Sequence, residues 1–417
     1  MRRSVVVFSL IAVALLVALL SPGPHALHAQ QASPAASPAP GGATIAARGL
    51  TNPRGLAWDP TGTLYVALAG TGGPHLARVQ SPASKAIGPF KGGLTAGVAK
   101  IVDGCPVIVA DHLPSYVDKD GNAIGVAAVA FLGGQLYALE GGGDVTHGVP
   151  GSPSGVYRIN PDGTSRLVAD LSAWVRTHPV AHIPPDYDPD TSDFAMIAGN
   201  DRLWIIESNS GQVLTVMPAS PLAVITRVAD LSAGHPVPTG LAPATDGGVY
   251  VGNLTAQPYP DGAAKVIHVA PNGTVTTVWT GLTMLTGVAV GPDGALYAAE
   301  MATGNTSQPP FIKPGTGKIV RQTGPHASAV VASGLDFPVT LATGPGGELY
   351  VSQPATGADH GEGVVLRLNV ASGTPVAVTA ATPTGAACVA GTPPAATPIV
   401  PPTSPAAGTP VMDVRTQ

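Results

Sequence analysis

Short apolar segments separated by glycine-rich turns recur along the chain. Residues 287–300, GVAVGPDGALYAAE, are an example, because an apolar run is followed by Pro-Asp-Gly and then by a second apolar run. Runs of this kind, bounded by Gly, Pro and Asp, are typical of strands joined by tight turns. The segment therefore predicts a β-hairpin in which Asp293 serves the turn.

This hairpin pattern is repeated along the sequence, aligned on an aromatic residue in the second run. The copies are residues 55–68, 129–140, 196–207, 240–253, 287–300 and 340–353. Their aromatic residues are Tyr65, Tyr137, Trp204, Tyr250, Tyr297 and Tyr350. Each copy is followed by a third apolar run, and every copy except the last by a fourth run with an ending such as ADL or SGL. The repeat predicts units of four strands.

The last unit lacks a fourth strand in chain order. TIAARGL (44–50) carries the shared ending, although it precedes the first unit. We predict that it crosses to the last unit and closes a ring, which leaves no sheet edge open. PVAVTA (375–380) is a competing candidate for the same position. Units of this kind predict an all-β fold, a six-bladed β-propeller closed by the N-terminal strand.

The two ends of the chain differ from the middle in composition. Residues 1–29 combine Arg2 and Arg3 with a short apolar segment, which is the pattern of a secretory signal peptide. Residues 30–42 are an Ala/Ser/Pro linker and residues 381–417 an Ala/Thr/Pro-rich tail, both predicted to be disordered. The propeller is therefore expected at 43–380. We expect a secreted, cell-surface or periplasmic monomer without a membrane span once the signal is removed.

Charge and cysteine content narrow the class of protein. Charged residues are 11% of the sequence and the formal net charge is −5, so no basic surface indicates binding to nucleic acid or to an anionic membrane. The motifs HExxH and GxSxG do not occur, and hydrolysis by a nucleophilic side chain has no support from the sequence. Cys105 and Cys388 are the two cysteines. In an oxidising compartment they would form one disulfide between the tail and the body, and two unpaired thiols are the alternative.

Long connections are predicted on one side of the ring, here called the near face, where each first strand begins and each second strand ends. Binding residues are concentrated in loops held by rigid strands. Polar side chains at or beside these strand ends are the predicted ligand-binding residues: Arg54, Glu140, Asp193, Glu207, Asn209, Asn253, Glu300 and Gln353. The alternative is that they bond to loop backbone and fix the spacing of the blades.

A calcium site is a weaker hypothesis. Asp186, Asp188 and Asp190 have the alternate spacing that begins a calcium-binding loop, but the Gly and the bidentate Glu of that loop are absent. An acidic, solvated loop explains the same residues. We therefore predict no cofactor and keep Ca²⁺ as an alternative.

Several segments resemble the ScyD/ScyE family of exported proteins. The resemblance runs over nearly all of residues 45–370, and its most specific part is LTAQPYPDGAAKV, which is similar to the family's Leu-Thr-Gly-Phe-Pro-Phe-Pro loop with Ala256, Gln257 and Tyr259 substituted. It implies a secreted six-bladed propeller without an established activity. The unit also resembles NHL repeats and, more distantly, gluconolactonase-type calcium propellers. At the positions that would hold the metal of those propellers, Asp193 is the one residue of this sequence that could act as a ligand.

The sequence favours a non-catalytic protein that binds a small molecule, a glycan or another protein through the near face. The alternative function is a metal-dependent enzyme of the lactonase or dehydrogenase kind, with the metal held by Glu140, Glu207, Asn253 and Glu300.

Overall fold

Six mainly antiparallel sheets are arranged as a six-bladed β-propeller in a computed structural model, which describes residues 42–218, 223–308, 311–370 and 375–378 together with Cys388. The predicted fold class is therefore confirmed. The predicted signal peptide (1–29), linker (30–42) and tail (381–417) lie outside the described residues, except for Gly42 and Cys388. Among the described residues, no helix is long and apolar enough to cross a membrane.

The strands of the first three blades follow one another in chain order. Strand β1 (Ala43–Leu50) comes first and belongs to the last blade. Blade 1 contains β2 (Pro53–Trp58), β3 (Leu64–Leu68), β4 (His75–Leu76), β5 (Lys91–Val102), β6 (Cys105–Val117) and β7 (Ala123–Ile124). Blade 2 contains β8 (Val126–Leu132), β9 (Gln135–Glu140), β10 (Gly155–Ile159) and β11 (Ser165–Asp170). Blade 3 contains β12 (Asp193–Ala198), β13 (Leu203–Glu207), β14 (Gln212–Met217) and β15 (Val224–Asp230).

The other three blades repeat the arrangement. Blade 4 contains β16 (Pro238–Pro243), β17 (Val249–Asn253), β18 (Ala264–Val269) and β19 (Val275–Leu282). Blade 5 contains β20 (Leu285–Val290), β21 (Leu296–Glu300), β22 (Gly317–Gly324) and β23 (Ala327–Leu335). Blade 6 contains β24 (Leu341–Thr343), β25 (Leu349–Gln353) and β26 (Gly363–Leu368), completed by β1.

Helices are short and lie in the near-face connections. Helix α1 (Pro82–Ile87) begins after Ser81, whose hydroxyl accepts a hydrogen bond from the Ser84 amide, while the Ser84 hydroxyl accepts one from the Ser81 amide. Helix α2 (Leu171–Thr177) is capped by Asp170, which accepts from the Ala173 amide at 2.7 Å. A 3₁₀ turn (Val145–His147) lies between β9 and β10. These caps satisfy amides that a helix start leaves without partners.

The N-terminal strand closes the ring as predicted. Strand β1 pairs antiparallel with β26, from Ala43 opposite Leu368 to Leu50 opposite Gly363. The competing segment does not complete this blade, because β27 (Val376–Ala377) pairs in parallel with β23 of blade 5. The last blade therefore combines three strands from one end of the chain with one strand from the other end.

The core lies between neighbouring blades. One cluster between blades 2 and 3 includes Leu139, Ile205 and Leu214, all fully buried. First-strand glycines allow the inner strands to approach closely: a Cβ atom on Gly55 would lie 2.6 Å from the Ala128 Cα atom, and one on Gly287 would lie 2.5 Å from the Leu341 amide nitrogen. These glycines therefore serve the packing of one blade on the next.

A disulfide joins the C-terminal segment to blade 1. Cys105, at the start of β6, is bonded to Cys388 with Cα atoms 5.5 Å apart. Cys388 also packs against Gly49 of β1. The segment that leaves blade 5 at β27 is thus fixed again next to the boundary between blades 6 and 1.

Candidate functional site

Strand direction places the predicted polar residues at the near face. Glu140, Glu207, Asn253, Glu300 and Gln353 are the last residues of the second strands of blades 2 to 6. The first strands begin on the same side, because first and second strands are antiparallel. The short turns lie on the other side, where Asp293 accepts a hydrogen bond from the Ala295 amide at 3.1 Å.

Three buried carboxylates lie between blades 2 and 3. Asp193, the first residue of β12, is paired across the sheet with Glu207. Gly141, directly after Glu140, packs against the Asp193 backbone, because a Cβ atom there would lie 2.8 Å from the Asp193 carbonyl oxygen. Glu140 and Glu207 are completely buried and Asp193 is 3% exposed. The near end of this blade boundary is therefore acidic and shielded from solvent.

The three carboxylates differ in how well they are satisfied. Glu207 accepts hydrogen bonds from the Asn209 and Ser210 amides, the Ser210 hydroxyl and the Gln212 amide group. Glu140 Oε1 accepts from the Gly142 amide at 2.5 Å and Asp193 Oδ2 from the Thr191 hydroxyl at 2.8 Å. Glu140 Oε2 and Asp193 Oδ1 are buried and have no hydrogen-bond donor within the part of the chain that the structure describes.

Burial raises the pKa values of all three acids. The pKa of Glu140 lies well above its ordinary range because of desolvation, which the Gly142 amide opposes and the charge of Asp193 reinforces. The pKa of Asp193 is raised well above its ordinary range by desolvation and then by the charge of Glu207. Desolvation also raises the pKa of Glu207, against the hydrogen bonds from Ser210. These carboxylates bind protons more strongly than exposed ones do.

The corresponding glutamate of blade 5 has a cation as its partner. Glu300 accepts from the Thr283 amide at 3.0 Å and forms an ion pair with Lys318 Nζ at 2.9 Å. Burial raises the pKa of Glu300, and Lys318 opposes the shift. Lys318 is the residue opposite Glu300 on the third strand, whereas Gly155 is opposite Glu140 and Gln212 is opposite Glu207.

Other predicted residues fix loops and blades. Asn253 accepts from the Lys265 amide and donates to the Pro236 carbonyl, and Gln353 accepts from the Asp336 amide at 3.1 Å. Asn209 accepts from the Asp188 amide and donates to the Asp186 carbonyl, both at 2.8 Å. Hydrogen bonds to loop backbone are what we expect of residues that fix the spacing of the blades, which is the alternative that the sequence left open.

Arg54 binds strand β7 of its own blade rather than the channel mouth. Its Nη2 atom donates to the Ala123 carbonyl at 2.7 Å, and burial lowers the pKa of Arg54 to about 10. The guanidinium is therefore still charged at neutral pH. Thr239 and Thr286, the aligned residues of blades 4 and 5, instead donate to the carbonyls of Leu285 in blade 5 and of Pro338 in the connection to blade 6.

A buried histidine that the sequence did not single out organises the loops between blades 2 and 3. His147 is completely buried, with Nε2 2.8 Å from Asp188 Oδ2 and Nδ1 2.6 Å from the Gly143 carbonyl oxygen. Its ring stacks on Tyr116 of blade 1 with centroids 4.2 Å apart. Asp190 accepts from the Thr146 amide and hydroxyl and forms an ion pair with Arg176 at 2.5 Å. Only the Asp-rich spacing, without its partners, was visible in the sequence.

The acidic residues do not fit the metal that the calcium hypothesis implies. Asp188 and Asp190 are held by His147, Thr146 and Arg176, while Asp186 lies 3.5 Å from His235. Glu140, Glu207, Asn253 and Glu300 each bond to their own loop or to Lys318. Within the described ranges no three His, Cys, Asp or Glu side chains are arranged to hold a metal ion.

An apolar channel runs along the axis of the ring. Its volume is about 420 Å³, and first strands of all six blades line it. Its largest side chains are Trp58, Phe131, Phe194 and Met196, and Thr239, Thr286 and Thr340 lie toward its near end. A volume of this size is within the range of small-molecule sites, ~300–1,000 Å³. The Ala, Gly and Thr residues of the repeated first strands were the signal for it in the sequence.

Comparison with known proteins supports the fold. No family model and no curated protein matches the chain. A protein from Thermus thermophilus named as an oxidoreductase (glucose dehydrogenase) is 17% identical, with a TM-score of 0.51, and the match covers 79% of this chain and 100% of that one. A Xanthomonas campestris gluconolactonase is 14% identical with a TM-score of 0.47, covering 79% of this chain and 90% of that one. A calcium-binding regucalcin from Agrobacterium tumefaciens has the same identity and TM-score, covering 79% and 93%. At these identities the similarity shows the fold alone.

Proposed function

We propose that this protein is an exported, non-catalytic β-propeller of the ScyD/ScyE type that binds a small molecule in its central channel. The observation that carries the proposal is the channel itself, about 420 Å³ in volume and lined by first strands of every blade. Apolar channels of this size, with a few polar groups at one end, are the usual form of a ligand site. Rigid inner strands would give the ligand a site that is formed before binding.

The contacts of the polar residues at the near face support binding rather than catalysis. A general acid, a general base or a nucleophile must reach the substrate. Glu207, Asn253 and Glu300 instead accept hydrogen bonds from their own loops, and Glu300 is also paired with Lys318. The arrangement gives more support to a binding protein than to a lactonase- or dehydrogenase-like enzyme.

Export is supported by two independent features. The first 29 residues have the charge and apolar pattern of a signal peptide. Cys105 and Cys388 form a disulfide, a bond that persists in oxidising compartments. These features support the proposal that the protein acts outside the cytoplasm.

A channel-filling variant tests the function. A library of small metabolites is screened by thermal shift, since a ligand that binds the folded state raises the melting temperature. Hits should stabilise the wild-type protein and the control Val275→Phe, which alters an exposed residue on the outer strand β19. They should fail to stabilise Ala342→Phe, which fills the channel. Equal stabilisation of both variants, or no hit with the wild-type protein, would contradict the proposal.

A further inference from the structure

The repeat provides an internal comparison for the buried glutamates at the ends of the second strands. In blade 5, Glu300 has Lys318 opposite it on the third strand, 2.9 Å away. In blade 2, the residue opposite Glu140 is Gly155, which has no side chain. The third strand therefore places a cation opposite one glutamate and not opposite its counterpart. Both glutamates are nine-tenths buried or more.

Two carboxylate oxygens near this position lack any hydrogen-bond donor. Glu140 Oε2 and Asp193 Oδ1 are both buried and without a partner among the described residues. Most buried polar atoms in folded proteins have a partner, and an unsatisfied carboxylate oxygen carries a cost. Because Gly141 packs against the Asp193 backbone, the two residues belong to one blade boundary. The boundary thus offers hydrogen-bond acceptors without donors among the described residues, and because burial raises the pKa of both acids, a cation bound there would favour their charged forms.

The apolar channel adjoins this boundary. Phe194 follows Asp193 in strand β12 and lines the channel. Glu140 and Asp193 are not themselves among the residues that line the channel, so the ligand's polar end would have to enter the blade boundary next to Phe194 to reach them. A cationic group would meet the acceptors, while the rest of the ligand would lie against apolar side chains such as Met196 and Val288.

We infer that the ligand of the channel is an organic cation, an ammonium group attached to an apolar body, and that Glu140 and Asp193 recognise its charge. This inference rests on the function proposed above. An ammonium group donates up to three hydrogen bonds and accepts none, which matches two carboxylate oxygens that lack donors. A metal ion fits less well, because no three ligating side chains of the described chain converge there.

Three probes of similar size separate charge from shape: 2-phenylethylamine, 2-phenylethanol and 3-phenylpropanoate, measured by calorimetry at neutral pH. We expect the amine to bind at least ~10-fold more tightly than the alcohol, and the carboxylate to bind more weakly than either, because charge-assisted hydrogen bonds are the strong ones. Equal affinities for the amine and the alcohol would overturn the inference and leave the channel function intact. If no probe binds, the result would count against both the inference and the proposed channel function.

Variants of the two acids test the residues. Glu140→Gln and Asp193→Asn should reduce the affinity for the amine to that for the alcohol, while the affinity for the alcohol stays as in the wild-type protein. The control Glu348→Gln changes a carboxylate in a far-side turn of blade 6 and should keep the preference for the amine. An undiminished preference in both acid variants would overturn the inference. If the variants do not fold, the ratio of amine to alcohol affinity in the wild-type protein still decides.

A metal ion is tested separately. CaCl₂ alone at millimolar concentration should leave the melting temperature of the wild-type protein unchanged. Stabilisation by CaCl₂ that disappears in Asp193→Asn would identify the occupant as a metal ion and overturn the inference of an organic cation.

Discussion

His147 and Asp188 form a buried pair in which both ring nitrogens of the histidine face acceptors. Nε2 lies 2.8 Å from the Asp188 carboxylate and Nδ1 lies 2.6 Å from the Gly143 carbonyl oxygen. A carbonyl and a carboxylate only accept hydrogen bonds, so both nitrogens donate and the ring is an imidazolium. Burial by itself would lower the pKa of His147, but Asp188, then Asp190 and the Gly143 carbonyl, raise it above the ordinary value.

The pair predicts that stability falls as the pH rises. The pKa of histidine in the unfolded chain is ~6.5, and the folded value is higher, so the folded state binds the proton more strongly. The stabilising contribution is complete below about pH 6.5 and is lost as the pH rises through the folded pKa. Melting temperatures measured from pH 6 to 9 should therefore decrease in the wild-type protein.

The Asp188→Asn variant separates this pair from other titrating groups. Tyr116, Asp190 and Arg176 also lie in this cluster, and they are retained in the variant. Its melting temperature should be lower at pH 6 and should depend less on pH, because breaking a buried pair costs ~3–5 kcal/mol. An unchanged pH dependence in the variant would contradict the assignment to His147.

The hydrogen bonds of Glu207 predict a large loss of stability when this residue is replaced. Its carboxylate accepts hydrogen bonds from the Asn209 and Ser210 amides and from the Gln212 side chain. In Glu207→Ala these donors, of which those of Ser210 and Gln212 are buried, lose their acceptor, at about 1–3 kcal/mol for each unsatisfied buried group. Urea denaturation should show a free energy of unfolding lower by about 2–4 kcal/mol. The control Asp336→Ala, at an exposed position of the near face, should change it little, and a similar loss in both variants would refute the role of Glu207.

Blade number and ring closure were predictable because each depends on a repeated pattern. The aromatic residue of the second strand and the shared ending of the fourth strand recur in nearly every unit, so one misread copy does not change the count. TIAARGL was assigned to the last blade from its ending, and β1 pairs with β26 there. The short strand β27 has no such pattern, and its parallel pairing with β23 could not be inferred.

Partners of the polar residues could not be read in the same way. Glu140 and Glu300 occupy the same place in the repeat, yet one faces Gly155 and the other Lys318. His147 and Asp188 are 41 residues apart and meet only because the loops of two blades fold over each other. A repeated sequence pattern predicts where the strands lie, whereas a hydrogen bond between distant loops depends on the tertiary structure.

The disulfide predicts a measurable loss when it is removed. It joins residues 283 positions apart, so it restricts the unfolded chain strongly. Removing a native disulfide costs about 2–5 kcal/mol. Cys388→Ser should lower the melting temperature, and adding a reductant to the wild-type protein should have the same effect. Thiol titration under denaturing conditions should find no free thiol in the wild-type protein before reduction. Equal melting temperatures with and without reductant would contradict this role.

Deleting residues 43–50 should open the ring. These residues form β1, which covers the edge of β26 in blade 6, and an uncovered strand edge pairs with other chains. We expect the truncated protein to aggregate, with a lower melting temperature and a larger hydrodynamic radius by light scattering. As a control, replacing both residues of β27, Val376 and Ala377, by Ser leaves the edge of β26 covered, because β27 pairs with β23 in blade 5. That variant should remain monomeric, even if replacing the buried Val376 lowers its stability. A truncated protein that stays monomeric and as stable as the control would show that β1 is not needed to close the propeller.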